Sequence, residues 1–140
     1  VSNHIFKHTF LANVAIIVSI LIYLTTRSND LLLYEWFNID WPFAQVVDTQ
    51  NAMVQWLVYS FPDGLWCYAL TAYMAIIWWK SSKFLLNSMV SLPIVLALTH
   101  ELSQFAGFVR GTFDWWDLVT YIFFWLLALI NQNKKKVGFS

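Results

Sequence analysis

Between His100 and Asp117 the chain reads HELSQFAGFVRGTFDWWD, which gathers three carboxylates, Glu101, Asp114 and Asp117, around one guanidinium, Arg110. His100 and Gln104 stand beside Glu101. Positioned carboxylates and imidazoles act as general acids and bases, and a guanidinium offers a planar fork matched to carboxylate or phosphate. Glu101, Asp114 and Asp117 are therefore the candidate catalytic groups, and Asp63, His100, Gln104, Arg110 and Tyr121 the candidate ligand-binding groups. Helical spacing puts His100 and Gln104, and also Glu101 and Gln104, within reach on one face, and Asp114 with Asp117 on a face of the next element, with Tyr121 one turn deeper. Such charge is out of character here, because Asp, Glu, Lys and Arg make up only 11% of the sequence. A charge in hydrocarbon is expensive, so the chemistry depends on where this segment lies.

The elements that position it are apolar. Hydrophobic residues make up 59% of the 140 residues and aromatics 19%, with a mean hydropathy of +0.57, beyond what a soluble core requires. The reading is an all-α integral membrane bundle of four transmembrane helices forming a single domain over 1–140. Each span needs about 20 residues at ~1.5 Å rise. The apolar runs place the spans at 9–26, 62–79, 84–104 and 115–130. The second is set to begin near Pro62, since proline suits a first helical turn and Ser60 with Asp63 resembles a short capping box. Residues 28–60, broken by Asp30, Glu35, Asp40, Pro42 and Asp48, are expected to form an outer-surface cap with a short interfacial helix over 49–59.

Charge placement orients this bundle. Every Lys (Lys7, Lys80, Lys83 and Lys134 to Lys136) falls on one side, and every acid falls on the other with Arg27 and Arg110. Since cytoplasmic loops are enriched in Lys and Arg, both termini are expected in the cytoplasm and the charged segment at the outer mouth. Trp78 and Trp79 then mark the inner interface, and Trp66, Trp115 and Trp116 the outer one. Glu101 lies about 27 Å beyond Lys83 along a straight helix, close to the outer hydrocarbon boundary. Span one is followed by "TRSND" rather than a small-residue cleavage site, so it reads as a retained span.

The string ELSQ…VRGTFDWWDL resembles the signature of the VanZ-like membrane proteins: a Glu followed three residues later by Gln, an Arg in the loop, and an Asp pair opening the next span. Glu101, Gln104, Arg110, Asp114 and Asp117 carry that resemblance, and "FPDGLW" is similar to the Pro-Asp segment opening the preceding span in many small relatives. The likeness covers roughly residues 60–128. Tyr121 stands where the family has Asn, and Phe123, Phe124 and Trp125 where it has small residues. The resemblance implies a bacterial cell-envelope protein of the inner membrane; the family's named member is associated with resistance to the lipoglycopeptide teicoplanin, and the family has no generally assigned reaction.

Each residue also has a purely architectural reading. Asp114 precedes an apolar run and could serve as an N-cap, as could Asp63. Glu101 closes a helix whose dipole disfavours an anion there, so it needs a partner, and a bridge to Arg110 would supply one. His100 fits an interfacial histidine. Cys67 is the sole cysteine, which excludes an internal disulfide; His4 and His8 make a poor metal pair. No cofactor or metal is expected, for there is no H-E-x-x-H, nucleophile elbow or P-loop. The basic run Lys134 to Lys136 reads as a membrane flank, not a nucleic-acid patch. Two functions remain. In one, the outer mouth binds and processes an amphiphilic envelope lipid, a lipid-linked molecule or a lipoglycopeptide; in the other, the protein is a structural or accessory subunit whose charges hold helix ends together. Membrane lipids are partners in either case. A homo-oligomer is open, and ion-coupled transport by so few helices would require one.

Overall fold

The computed structural model describes residues 2–26, 51–109 and 111–133. Among them are four helices and no strand: α1 (Ser2–Thr26), α2 (Ala52–Trp78), α3 (Lys83–Phe105) and α4 (Trp115–Asn133). Residues Ile5–Thr26 and Lys83–Phe105 are long and apolar enough to cross a membrane. Large apolar side chains face outward on both, including Phe10, Ile17, Leu21, Phe84, Val95 and Leu96, and on α4 at Phe123, Leu126 and Ile130.

α2 is the central element and packs against each of the other three, whereas α3 and α4 meet less extensively. The core where it meets α1 and α4 is built largely from small residues, Ala12, Ala15, Ala69, Ala72 and Ala128, with Leu65, Tyr68 and Phe124 filling the space between. Small side chains let helix backbones approach closely where lipid offers no hydrophobic drive to associate. Gly64 marks the tightest point: a Cβ there would strike the Phe124 ring and lie 2.6 Å from Thr120 Cγ2. Polar ties then fix the register, with Trp56 Nε1 donating to Thr120 Oγ1 at 2.8 Å, Tyr73 Oη to Asn13 Oδ1 at 2.5 Å and Trp125 Nε1 to the Val90 carbonyl at 2.9 Å.

The start expected for the second helix, near Pro62, is wrong by about three turns. The N-cap is Asn51, whose side chain accepts from the Met53 amide at 2.9 Å, and the helix passes through Pro62 without ending. Ser60 is accordingly a buried mid-helix residue, not a cap. A proline inside a helix removes one amide and crowds the preceding turn, a cost that neighbouring helices and hydroxyl side chains offset in apolar surroundings. Here Pro62 is fully buried, and the Ser19 hydroxyl from α1 donates to its carbonyl at 3.0 Å. The expected interfacial helix over 49–59 is thus, from Ala52 onward, the first part of α2. The rest of the expected outer cap, 28–50, lies outside the described residues. α1 also begins earlier than the expected residue 9, while α3 and α4 follow the expected 84–104 and 115–130 closely.

α3 ends at Phe105 and closes with a Schellman arrangement. Gly107, at φ +76°, donates to the Gln104 carbonyl at 3.0 Å and Phe108 donates to the Ser103 carbonyl at 2.9 Å. The positive φ is the reason for glycine at this position. The chain is thereby turned back toward α4, with Asp114 and Asp117 delivered next to the end of α3.

Candidate functional site

Three helix segments converge at the end of the bundle opposite the α2–α3 turn. The N-terminal half of α2 contributes Gln55, Tyr59 and Asp63, spaced four apart and so stacked along one face. The last turn of α3 contributes His100, Glu101 and Gln104, and the connection into α4 contributes Gly111, Thr112, Asp114, Asp117 and Tyr121. Together they line a polar cavity of about 460 Å³. Seven of the eight site residues expected from the sequence are thus brought to one recess. The eighth, Arg110, lies outside the described residues.

Glu101 is the group the fold treats most unusually. Only 3% of it is exposed. Its Oε1 lies 3.7 Å from His100 Nδ1, while Oε2 is enclosed and has no hydrogen-bond partner among the described residues. A buried carboxylate oxygen without a donor is costly. His100 is itself exposed, and its Nδ1 is 3.5 Å from Gln104 Nε2. Gln104 in turn packs against Gly111, where a Cβ would fall 2.6 Å from its amide nitrogen. Gly111 combines φ +144° with this close approach, so a side chain there would be both strained and obstructed.

Asp63 is held from two sides by phenols. Tyr23 of α1 donates to its Oδ1 and Tyr121 of α4 lies 3.5 Å from its Oδ2. A carboxylate on the central helix therefore ties three helices together. Its expected N-cap alternative does not apply, because α2 is already helical ten residues earlier. Asp114 does cap: its Oδ1 accepts from the Trp116 amide at 2.9 Å, at the start of α4. Its architectural reading and its place in the cavity wall coexist.

A second, apolar cavity of about 270 Å³ adjoins the first and shares Asp63 and Tyr121 with it. Trp66, Cys67 and Leu70 of α2 line one side and Pro93, Leu96 and Ala97 of α3 the other. The run from Asp63 to Leu70 carries this groove about 10 Å along the helix at ~1.5 Å per residue. The two cavities form an amphipathic pair, carboxylates and amides at the end of the bundle and hydrocarbon side chains beneath.

Sequence reasoning missed Tyr23, Gln55, Tyr59, Gly111, Thr112 and the whole apolar groove. The signal for Gln55 and Tyr59 was their four-residue spacing ahead of Asp63, concealed by starting the helix at Pro62. Tyr23 sits at the α1 end expected to face the same side as Asp63, so topology alone placed it within reach. Among the described residues no group of three His, Cys, Asp or Glu is arranged to hold a metal ion. No protein-family model, curated protein or solved structure matches this chain.

Proposed function

We propose that this chain is a four-span bacterial envelope protein, similar to the VanZ-like proteins, that binds an amphiphilic molecule at an extracytoplasmic mouth. The observation carrying this reading is the shared wall at Asp63 and Tyr121, which sets a polar cavity against an apolar groove. Ligand sites of this kind combine apolar lining with a few convergent polar groups. The polar end of the ligand occupies the carboxylate cavity and a hydrocarbon tail runs between α2 and α3, both apolar on their outer surfaces. The reading includes both termini in the cytoplasm, from the Lys distribution. On this reading Glu101, Asp114 and Asp117, which line the polar cavity, move a proton at a bound head.

The test is to fill the groove without touching the polar wall. Ala97 lines it, so Ala97→Phe in the chain purified in nanodiscs is expected to lose a co-purifying amphiphile seen by native mass spectrometry, with melting unchanged. Retention of the same amphiphile at the same stoichiometry would overturn the reading.

A second reading, a structural or accessory subunit, is favoured by the clamp on Asp63, through which α1, α2 and α4 are joined. On that reading Asp63→Asn lowers the melting temperature and Ala97→Phe changes nothing measurable.

A further inference from the structure

The lysines gather at the end of the bundle away from the carboxylate cavity, and the helix pairings put them there. Tyr73 donates to Asn13 and Ser19 to the Pro62 carbonyl, so α1 runs antiparallel to α2 and begins beside the end of α2. α4 runs parallel to α2, with Trp56 bonded to Thr120 near their starts and Tyr68 to Asn131 farther along. α3 is antiparallel to α4, since Val90 meets Trp125 while Glu101 shares the polar cavity with Asp117. Lys7, Lys80 and Lys83 therefore stand at one end, all exposed, and Lys134, Lys135 and Lys136 follow directly on the end of α4 at Asn133. The stretches that supply this end, 1–29, 64–100 and 118–140, contain no Asp or Glu. Each of the three described lysines also adjoins an exposed aromatic side chain, Phe6, Trp79 or Phe84.

Resting on the membrane-spanning part of the reading above and not on its amphiphile site, we infer that this end of the bundle selects anionic phospholipids, with the lysines among the headgroups and Phe6, Trp79 and Phe84 at the acyl boundary. Like charges crowded onto one end repel one another, and with no carboxylate in the stretches that supply this end the neutralising charge comes from outside the chain. The alternation of ammonium groups with exposed rings says what supplies it. An acidic protein or nucleic acid arriving from water would satisfy the lysines and leave the rings wet, whereas a leaflet satisfies both, headgroups taking the ammonium groups and hydrocarbon the rings. Clusters of about four to eight Lys or Arg beside a spanning helix bind anionic leaflets in this way. Here they come from α1, the α2–α3 turn and the end of α4, so the same lipids also link helix ends whose charges repel. A zwitterionic headgroup carries a phosphate too, but its own ammonium group cancels the attraction at a distance.

The experiment reconstitutes the full chain in phosphatidylcholine vesicles containing a trace of phosphatidylglycerol or phosphatidylcholine, each spin-labelled at the same place on the same tail. The motionally restricted part of the electron paramagnetic resonance spectrum measures the lipid held at the protein. Attraction to an anionic surface is worth about fivefold for each lysine near it; averaged over all the lipid around the bundle, most of it away from the lysines, phosphatidylglycerol is expected to be held about threefold more strongly than phosphatidylcholine at low salt. The preference is expected to fall toward one at about 0.5 M NaCl, a measurement that needs no substitution. Lys7→Gln, Lys80→Gln and Lys83→Gln together are expected to lower it below about twofold, while Lys→Arg at the same three positions, which keeps the charge, retains it. Equal holding of the two lipids, a preference unmoved by salt, or one undiminished in the triple Gln variant would overturn the assignment, and the restricted lipid still seen would leave the spanning reading in place. No restricted lipid of either kind would defeat the spanning reading as well.

Discussion

Glu101 and Arg110 separate a binding mouth from a scaffold because the two roles place opposite demands on stability. Burying the Glu101 carboxylate, one oxygen of which has no hydrogen-bond partner among the described residues, costs stability. Glu101→Gln keeps the shape and removes the charge, so its melting temperature in detergent is expected to be equal to or above that of the parent chain while ligand binding falls. A Glu101 that served only to hold helix ends together would show the reverse, lost stability and unaffected binding. Arg110 is the only Lys or Arg in the segment from His100 to Asp117, and its neighbour Gly111 lines the cavity. Arg110→Lys retains the charge but not the planar fork. It is expected to leave the protein monodisperse and its melting little changed while weakening ligand capture. A melting temperature that falls with binding would identify Arg110 instead as one half of a buried pair, whose breakage costs about 3–5 kcal/mol.

Among the helices, α2 controls the geometry of the site, and Gly64 shows how narrow its tolerance is. Alanine in a helix interior is favoured over glycine by about 1 kcal/mol. At Gly64 that gain competes with a collision against Phe124 and Thr120, and overpacking of a close contact typically costs about 1–3 kcal/mol. Phe124 and Thr120 are both buried and Thr120 already accepts from Trp56, so neither can yield freely. Gly64→Ala is therefore expected to destabilise the protein by up to about 2 kcal/mol net, read from the shift in thermal unfolding in a fixed detergent; an increase in stability would show that α2 and α4 have room to separate. The same helix shows where sequence reasoning reached its limit. The ends of α3 and α4 were legible because apolar runs stop at the polar stretch around Gly107 to Asp114. The start of α2 was not, because Ser60, Pro62 and Asp63 form a locally good helix start, and only the tertiary hydrogen bond from Ser19 to the Pro62 carbonyl shows that α1 supports the helix through that point. The polar residues at the mouth could be read from the ends of their helices. The groove beneath could not, since Trp66, Leu70, Leu96 and Ala97 are ordinary apolar residues until the packing of α2 and α3 places them around one cavity.

Among the described residues the bundle is polar at one end and apolar around its flanks, with Lys80 and Lys83 at the other end, and this asymmetry is the basis for proposing an orientation in a membrane. The α2–α3 turn carries Lys80 and Lys83, at the opposite end from the carboxylate cavity. Lys80 also stands over the Trp79 ring, 5.6 Å from its centroid, an arrangement suited to an interface where an ammonium meets headgroups and an indole meets the acyl boundary. If the positive-inside rule governs, the turn is cytoplasmic and the cavity faces out. The native chain has one cysteine, Cys67, which is buried. In a Cys67→Ser background, a single cysteine at exposed Thr112 in the cavity wall reports one end and a single cysteine at Ser81 the other. Intact bacterial cells whose outer membrane has been made permeable are treated with a membrane-impermeant maleimide. Thr112→Cys is expected to react at once and Ser81→Cys only after the inner membrane is opened, and a reporter fused after Ser140 should be active only in the cytoplasm. The opposite labelling pattern would place the carboxylate cavity in the cytoplasm, where an envelope amphiphile presented from outside could not reach Glu101. Labelling of both sites in intact cells would instead mean that α2 and α3 do not cross the bilayer as a pair, and the groove between them would then have no lipid from which to take its tail.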